Sequence, residues 1–477
     1  MNISTILFKP TILAVAVAGL GNAGAARANN ELVGWAMLPA NTFAVGPTSG
    51  QFVSGPAPGA QTPPYFAAQP VQGFSAVLNG PTAGTYYVMP DNGFGSQGNS
   101  ADTLLRVYAM QPDFKTYNGT SVVGTGFVNP VSYLTGVPQP SYLPTTFITL
   151  SDPAGKLGFP IQASYANYYN NVANPAVDPS IKSGRLLTGA DFDIESMRVD
   201  KNGNLWFGEE FGPFLVKTDS TGKVLQKEIP LPNIVPPGST STGTEVRAPQ
   251  NPYGGPSNLA TSRGFEGMAI NSAGDKLYTL LEGTVAGDNA INGTTNKNLR
   301  INEFDIDTMQ YTNKEFLYQL DARGTNIGDM TAVNDHQFLV LERNGNTDTN
   351  QPPAPFKMVY LIDTNNVDAS GFVQKTAMVD LMNVADPHDL NGDGSTTFTF
   401  PYVTIEDILV VDPTTLLIIN DNNYPFGGGR SVNADNSEFL MIRLDQPLAT
   451  VPVPAALPLM ASGLAMLLGA SRRRRAG

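Results

Sequence analysis

The sequence contains no cysteine and only two histidines, and both shortages exclude whole classes of chemistry. Without cysteine the chain can form no disulfide bond and has no catalytic thiol. Two histidines, His336 and His388, are too few for a typical zinc or di-metal histidine site, and neither lies in an RHG acid-phosphatase motif. The chain also lacks G-x-S-x-G, Walker A and Rossmann motifs, which argues against a serine-hydrolase elbow, a P-loop and a dinucleotide fold.

Positive charge is also scarce. The chain has 28 basic and 41 acidic residues among 477. Six of the basic residues and none of the acidic ones lie in the two terminal segments, so the charge between those segments is -19. A surface of that sign repels nucleic acid and attracts cations. We therefore expect no nucleic-acid partner.

The first segment, residues 1–28, has the three parts of a secretory signal peptide. Lys9 supplies the positive region, residues 11–20 are apolar, and Ala26-Arg27-Ala28 matches an A-x-A cleavage site. The apolar run is too short to span a bilayer, which argues against an uncleaved anchor. This pattern predicts export.

The last segment, residues 451–477, combines Pro452-Val453-Pro454, an apolar run over residues 455–470, and four arginines at 472–475. It resembles the PEP-CTERM sorting signal, which an exosortase processes in the inner membrane. The alternative is a plain membrane anchor, with its basic end on the cytoplasmic side. Either interpretation predicts a protein of the periplasm, cell surface or medium that is held at the membrane at least for a time.

A strand–turn–strand pattern with a carboxylate at each end recurs along the remaining chain. It occurs at residues 191–213, 266–282, 329–343 and 406–422, with a weaker copy at 74–93. Measured from Glu195 to Glu266, Asp329 and Glu406, successive full copies are 71, 63 and 77 residues apart, which suits four-stranded propeller blades with loop insertions. Together with 48 glycines and 38 prolines, this predicts an all-β protein, a β-propeller over residues 29–450.

The number of blades depends on residues 116–188, where only residues 147–150 have a clear strand pattern. That stretch either contains a blade or forms a long insertion, so five, six or seven blades fit, and six is our prediction. The strand within residues 30–46 is expected to close the ring by pairing with the last blade, because closure removes an exposed sheet edge.

Four of these motifs are LTGADFDIES…LWFGEEFGPFL, RGFEGMAI…LYTLLEG, IGDMTAV…FLVLERN and TIEDILVVD…LLIINDNNYPF. Together they resemble the phytase-like family, also called "esterase-like activity of phytase". The resemblance runs from about Gly73 to Asp445. It implies a β-propeller and an activity grouped with calcium-dependent phosphoesterases.

The repeat predicts a ring of carboxylates independently, because equivalent positions of successive blades converge on one axis. These positions are Glu195, Glu266, Asp329 and Glu406, with hairpin partners Glu209, Glu282, Glu342 and Asp421. Converging carboxylates repel one another unless a cation intervenes, and calcium prefers six to eight oxygen ligands. The alternative is that each one caps a strand end. Of the set, Glu195, Glu266 and Glu406 are the predicted catalytic site.

Two further groups are candidates. Asp389, Asn391 and Asp393 form the first half of a calcium loop, D-x-N-x-D-G, although the twelfth position is Phe400 and no helix flanks it. The alternative is an ordinary turn. Arg263, Arg343 and Arg430 lie beside the repeats and either bind phosphate or pair with the nearby carboxylates.

These observations favour a calcium-dependent hydrolase of small phosphoesters, in which calcium polarises a phosphoryl oxygen and a carboxylate positions the water. The rival is a non-catalytic propeller that binds a matrix polymer or a partner at the same acidic face, since a fold does not determine a function.

Overall fold

The computed structural model describes residues 30–55, 60–430 and 434–449. The predicted signal peptide and sorting segment lie outside these residues, so both stay predictions. Among the described residues, no helix is long and apolar enough to cross a membrane. The one α-helix in the described part of the chain, α1 (Pro179–Gly184), has six residues, so the all-β prediction is confirmed.

The strands follow one another as a regular series of short elements. In chain order they are β1 (Glu31–Leu38), β2 (Phe43–Val45), β3 (Ala68–Pro70), β4 (Phe74–Asn79), β5 (Tyr86–Pro90), β6 (Arg106–Asp113), β7 (Thr116–Tyr117), β8 (Val122–Val123), β9 (Phe127–Pro130), β10 (Phe147–Thr149), β11 (Ile194–Val199), β12 (Leu205–Glu209), β13 (Phe214–Thr218), β14 (Ile229–Pro230), β15 (Phe265–Ile270), β16 (Lys276–Leu281), β17 (Asn298–Asp305), β18 (Gln310–Gln319), β19 (Asn326–Ala332), β20 (Gln337–Arg343), β21 (Lys357–Val367), β22 (Val373–Asp380), β23 (Val384–Ala385), β24 (Thr397–Phe398), β25 (Asp407–Asp412), β26 (Thr415–Ile419) and β27 (Ser437–Arg443).

The described strands form five four-stranded blades. The second, third and fourth blades are β11–β14, β15–β18 and β19–β22. The first blade is β4, β5, β6 and β9, and the fifth is β25, β26, β27 and β1. The first strands of the blades contact one another around a ring, in the order β4, β11, β15, β19, β25 and back to β4. The molecule is a β-propeller, as predicted.

The predicted count of six blades is wrong for the described residues, and the reason lies in residues 116–188. That stretch contributes β9 and β10, which extend the first blade along β6, and the small β7–β8 hairpin. Most of the rest is irregular and packs α1 and two 3₁₀ turns, Gln162–Ser164 and Tyr168–Asn170, beside the first two blades. The stretch is an insertion and not a sixth blade.

The N-terminal strand closes the ring, as the sequence predicted. β1 pairs antiparallel with β27 from Glu31↔Arg443 to Leu38↔Ser437. It also makes a parallel contact with β9 at Met37↔Phe127, which joins the fifth and first blades into one continuous sheet. Closure leaves the inner edges of the blades facing a common axis.

Hydrophobic side chains fill each of the five spaces between neighbouring blades. Between the second and third blades, for example, Trp206, Phe265 and Phe304 pack together and are fully buried. Aromatic side chains of this size bury most of their surface and dominate such packing. Apolar residues fill the spaces between blades, whereas one group of buried charged residues lies at the axis, where the inner strands begin.

Candidate functional site

A β-bulge near the start of β4, β11, β15 and β19 carries most of a first ring of residues at the axis. The register of β11 skips from Ile194 to Ser196 and that of β15 from Phe265 to Gly267, so the residues left unpaired are Glu195 and Glu266. A bulge re-aims the side chain of its extra residue. The corresponding residues of the other blades are Ser75, Gly328 and Glu406, the last standing just before β25.

The end of the second strand of each blade supplies a second ring. The hairpin registers place Asp91, Glu210, Glu282, Arg343 and Asp421 at equivalent positions. The first three directly follow their strands, Arg343 is the last residue of β20, and Asp421 lies two residues after β26. We call the charged residues of the two rings, together with Asp193, the axial cluster. Its members are Asp91, Asp193, Glu195, Glu210, Glu266, Glu282, Arg343, Glu406 and Asp421.

The fourth blade differs from the others because it brings positive charge to the axis. Arg343 Nη2 lies 2.8 Å from Glu406 Oε1, 3.3 Å from Glu266 Oε1 and 3.5 Å from Glu282 Oε1. The bulge position of this blade is Gly328, where any side chain would collide with the Ile405 carbonyl. One arginine thus partly compensates carboxylates from the third and fifth blades.

Two groups of three carboxylates stand close enough to share a cation. Oxygens of Asp91, Asp193 and Glu195 lie within 4.8 Å of one another, and so do oxygens of Glu195, Glu210 and Glu266. Glu195 belongs to both groups. Hard oxygen donors at such spacing suit calcium better than zinc or copper.

Some of these oxygens have no partner within the protein. Asp193 Oδ1 and Glu210 Oε1 are buried and accept no hydrogen bond, and their residues are only 3% and 4% exposed. A buried carboxylate oxygen without a partner is costly, because it loses its hydration and gains nothing in return. These two oxygens therefore indicate that a proton or a cation completes the cluster.

Burial raises the pKa values of Asp91, Glu195, Glu210, Glu266 and Glu406, and repulsion from neighbouring carboxylates adds to this effect. Burial, followed by Asp193, Glu266 and Glu406, raises the pKa of Glu195 well above its usual range. Burial and then Asp421 raise the pKa of Glu406 to about 8, although Arg343 opposes this. Burial raises the pKa of Asp193 to about 6. A bound cation would reverse this effect, because it favours the charged form.

The cluster borders a small surface pocket. Asp91 and Asp421 form its charged part, and Phe94, Tyr424 and Phe426 form its aromatic part. Gly73 has φ +69°, and a Cβ there would stand 3.2 Å from Oδ1 of both aspartates. The glycine therefore allows the two carboxylates to approach each other at the pocket floor.

The structure does not bring Asp329, Glu209 or Glu342 into the cluster. Asp329 stands one residue beyond the bulge, where it pairs with Arg198 at 3.1 Å and accepts from the Ile408 N–H. Glu209 accepts three backbone N–H groups, from Phe211, Gly212 and Phe214. The repeat alignment that made these residues equivalent to Glu195 and Glu282 is wrong by one residue.

Glu342 faces away from the axis in the same manner, since it accepts from the Tyr318 hydroxyl at 2.5 Å and pairs with Lys375 at 2.7 Å. Its successor, Arg343, occupies the ring position. The bulge explains these shifts, because an extra residue changes which side chains share a face.

The D-x-N-x-D-G loop lies apart from the axial cluster, and its side chains bond within the loop. Asp389 Oδ1 accepts from the Gly394 N–H, Asn391 Nδ2 donates to Asp393 Oδ2, and Asp393 Oδ1 accepts from the Ser395 N–H. These are the local bonds of Asx turns. They occupy some of the oxygens that a calcium ion would need.

The predicted arginines and histidines take different places. Arg263 pairs with Glu282 at the edge of the cluster. Arg430 instead pairs with Glu438 at 2.6 Å and stacks on Phe398. His336 pairs with Asp363, and His388 stacks on Tyr117. Of the three arginines, Arg343 and Arg263 lie at the cluster.

Sequence reasoning missed Asp91, Asp193 and Glu210 as site residues. Asp193 lies two residues before Glu195, Glu210 directly follows Glu209, and Asp91 ends the hairpin of the weaker repeat copy. A signal therefore existed for each. For Asp91 and Glu210 it is the position directly after the second strand of the hairpin, and for Asp193 it is the position two residues before the predicted Glu195.

Comparison with known proteins gives one family and several distant likenesses. A family model described as phytase-like, with esterase-like activity of phytase, matches residues 69–424. An uncharacterized secreted protein of Arthroderma benhamiae is 23% identical over 309 residues, which cover 60% of this chain and 55% of that protein. The chain therefore spans about half the length of that curated relative.

Among solved structures, several are similar over most of this chain, with low TM-scores and low sequence identity. A luciferin-regenerating enzyme has a TM-score of 0.37 and 11% identity, over 80% of this chain and 95% of its own. An α-L-arabinofuranosidase from Clostridium thermocellum has a TM-score of 0.34 and 10% identity, over 77% of this chain and 87% of its own. The calcium-binding protein regucalcin from Agrobacterium tumefaciens has a TM-score of 0.31 and 11% identity, over 87% of this chain and 100% of its own.

Proposed function

The chain belongs to the phytase-like family, and on that premise we propose that it is a calcium-dependent hydrolase of phosphoesters. The observation that carries the proposal is the axial cluster, in which eight buried or partly buried carboxylates face one arginine at the centre and a second at the edge. Two of its oxygens have no partner. The donor set is all oxygen, which fits calcium.

Glu195 is the ligand on which the proposed site depends most, because it belongs to both close groups of carboxylates. Asp91 and Asp193 complete one group, and Glu210 and Glu266 complete the other. When bound, calcium would neutralise these carboxylates and polarise a phosphoryl oxygen.

The remaining side chains give the chemistry its geometry. Glu406 is held between Arg343 and the Ser75 hydroxyl, which donates to its Oε2 at 3.0 Å. Asp193 Oδ1 and Glu210 Oε1 accept no hydrogen bond from the protein. They would accept hydrogen bonds from the attacking water and could take up its proton. Arg343 would orient the phosphoryl group with one of its planar N–H edges. Glu195, Glu266 and Glu406 thus remain the residues on which we expect activity to depend.

The decisive experiment is a panel of phosphoesters, p-nitrophenyl phosphate and bis-p-nitrophenyl phosphate among them, assayed with calcium and with a chelator. We expect turnover that needs calcium and is lost in Glu195→Gln. Asp219→Asn is the matched control, since Asp219 bonds the Thr221 and Lys223 N–H groups of a surface turn. Calcium binding without any turnover would contradict a hydrolase and favour a binding propeller.

We also propose that the protein is exported and that residues 451–477 are a sorting device separate from the fold. The relative of Arthroderma benhamiae named as a secreted protein supports export. Deleting residues 451–477 should yield a folded protein in the soluble exported fraction. A deletion variant that stays with the membrane would contradict this interpretation of the tail.

A further inference from the structure

The C-terminal end of the described chain leaves the propeller between the inner turns of the fourth and fifth blades. The Leu448 N–H donates to the carbonyl of Pro413, which lies in the turn between β25 and β26. Ala449 O accepts from Asn334 Nδ2 at 3.3 Å, and Asn334 lies in the turn between β19 and β20. Residues 450–477 therefore begin beside these two turns.

The inner turns and the axial cluster lie at opposite ends of the same strands. In the fifth blade, Glu406 precedes β25 and Asp421 follows β26, whereas residues 413–414 join the other ends of these strands. The strands β26 and β20 have five and seven residues. Strands of this length separate the two ends by roughly 20 Å. We call the side with the inner turns the turn face; these turns are residues 80–85, 200–204, 271–275, 333–336 and 413–414.

The N-terminal end of the described chain lies near the same side. Asn30 Oδ1 accepts from the Asp445 N–H at 3.0 Å. The neighbouring Leu444 N–H donates to the carbonyl of Thr414, in the inner turn of the fifth blade. Both described ends of the chain therefore lie on the side of the turn face and away from the axial cluster.

The linker between this exit and the apolar run of residues 455–470 is short. It consists of residues 450–454, which can span at most about 17 Å. It contains Pro452 and Pro454, and proline-rich linkers are semi-rigid. A folded chain of this size has a radius of gyration of about 22 Å. To bring the cluster against a surface that holds residues 455–470, the linker would have to pass around the molecule, and it is too short for that.

The surface of the turn face near the exit is polar. Asp335 and Asp412 lie in or beside the inner turns of the fourth and fifth blades, and both are exposed. Burying such charged groups in hydrocarbon is costly. This part of the turn face therefore suits a position above the headgroups, at the distance that the linker allows, and not insertion into the bilayer.

We propose that the turn face is the side of the protein that faces the membrane, and that the axial cluster faces away from the bilayer. The partner is a lipid surface that holds residues 455–470. This inference rests on the proposed role of residues 451–477 and specifies the orientation that they impose. In this orientation phosphoesters in solution reach the cluster, whereas phospholipid headgroups lie out of its reach.

The absence of cysteine allows a direct test, because one introduced cysteine takes a fluorescent donor at a single place. Ala273→Cys and Ala260→Cys are a matched pair, since both alanines are exposed. Ala273 lies in the turn between β15 and β16, on the turn face. Ala260 lies three residues before Arg263, which pairs with Glu282 at the edge of the cluster.

Energy transfer to an acceptor on the lipid headgroups would compare the two positions. Residues 29–477 of each labelled variant are bound to vesicles of phosphatidylethanolamine and phosphatidylglycerol. Because the two labels are roughly 20 Å apart along the axis, transfer from residue 273 should be about twice that from residue 260. Equal transfer, or more transfer from residue 260, would overturn the orientation and leave the tail as an anchor. Residues 29–450 are the control without the tail, and an absence of transfer from the longer chain as well would overturn both.

A longer linker tests whether the short tether sets the orientation. An insertion of about 60 Gly and Ser residues after Thr450 gives the linker a root-mean-square reach of roughly 40–45 Å, which allows the molecule to turn over. The difference in transfer between residues 273 and 260 should then disappear. A difference that persists would overturn the tether as the cause, because the turn face would then bind the lipid surface by itself.

Discussion

Two acidic regions of the chain, the axial cluster and the D-x-N-x-D-G loop, were predicted to bind calcium and differ in what their oxygens do. In the loop, Asp389, Asn391 and Asp393 satisfy one another and the local backbone. In the cluster, carboxylates from four blades converge and two oxygens remain unpartnered. Acidic composition alone therefore does not indicate a cation site. The stronger indicator is a buried oxygen that the protein does not satisfy.

The largest expected effect comes from removing the one positive charge at the centre of the cluster. Arg343→Met should destabilise the protein by about 3–5 kcal/mol in chelator, because it leaves buried carboxylates uncompensated. Urea unfolding with chelator and with calcium would measure it, and calcium should restore part of the loss. Arg323→Met is the control, since Arg323 is a surface arginine that pairs with Asp321 and lies over the Phe356 ring, away from the cluster. A loss no larger than the control's would show that Arg343 is not what compensates the cluster.

The next effect concerns calcium affinity. Glu195→Gln keeps the size of the side chain but removes the charge that both carboxylate groups share, and it should weaken calcium binding about 100-fold, a common cost for losing a buried charged partner. Glu266→Gln and Glu406→Gln should weaken it as well. Calorimetric titration would compare them with Asp200→Asn, since Asp200 bonds Asn204 and the Trp206 indole in a turn. Equal losses in all four variants would mean that the carboxylates are scattered structural groups.

The pH dependence of stability should distinguish the metal-free cluster from an ordinary acidic protein. The folded protein holds protons at Asp193 up to about pH 6 and at Glu406 up to about pH 8, whereas the unfolded chain releases them near pH 4. Stability in chelator should therefore fall as pH rises from about 4 to 8, by about 1.4 kcal/mol per pH unit for each such group.

Calcium should flatten or reverse this slope, because it binds the deprotonated carboxylates of the folded state. Urea midpoints at several pH values, with and without calcium, would show the difference. If the stability in chelator instead rises from pH 4 to 8, the metal-free cluster does not hold the protons that we expect.

The smallest effect is expected at the loop. Asp393→Asn keeps the local turn and should change the calcium affinity and the number of bound ions very little, because its oxygens are already used within the loop. The same titration would test this. A loss of one bound calcium in Asp393→Asn would show that the loop is a cation site and that internal hydrogen bonds are a poor guide.

Part of this arrangement could be derived from the sequence. The repeated hairpins gave the propeller and its closure by β1, and Glu195, Glu266 and Glu406 do occupy equivalent positions. The blade count was not derivable, because the strands of residues 116–188 extend an existing blade. Asp91, Asp193 and Glu210 were missed, and Glu342 was assigned to the ring in place of Arg343, since a bulge shifts the register by one residue and single-sequence patterns do not show bulges.

The central claim is that the axial cluster holds calcium, and anomalous diffraction from crystals grown with calcium tests it most directly. The account predicts a peak beside Glu195, about 2.3–2.6 Å from oxygens of its own carboxylate and of its neighbours Asp91 and Asp193 or Glu210 and Glu266. A clean map with no peak at the cluster, or with its calcium only at the loop of Asp389 and Asp393, would contradict it.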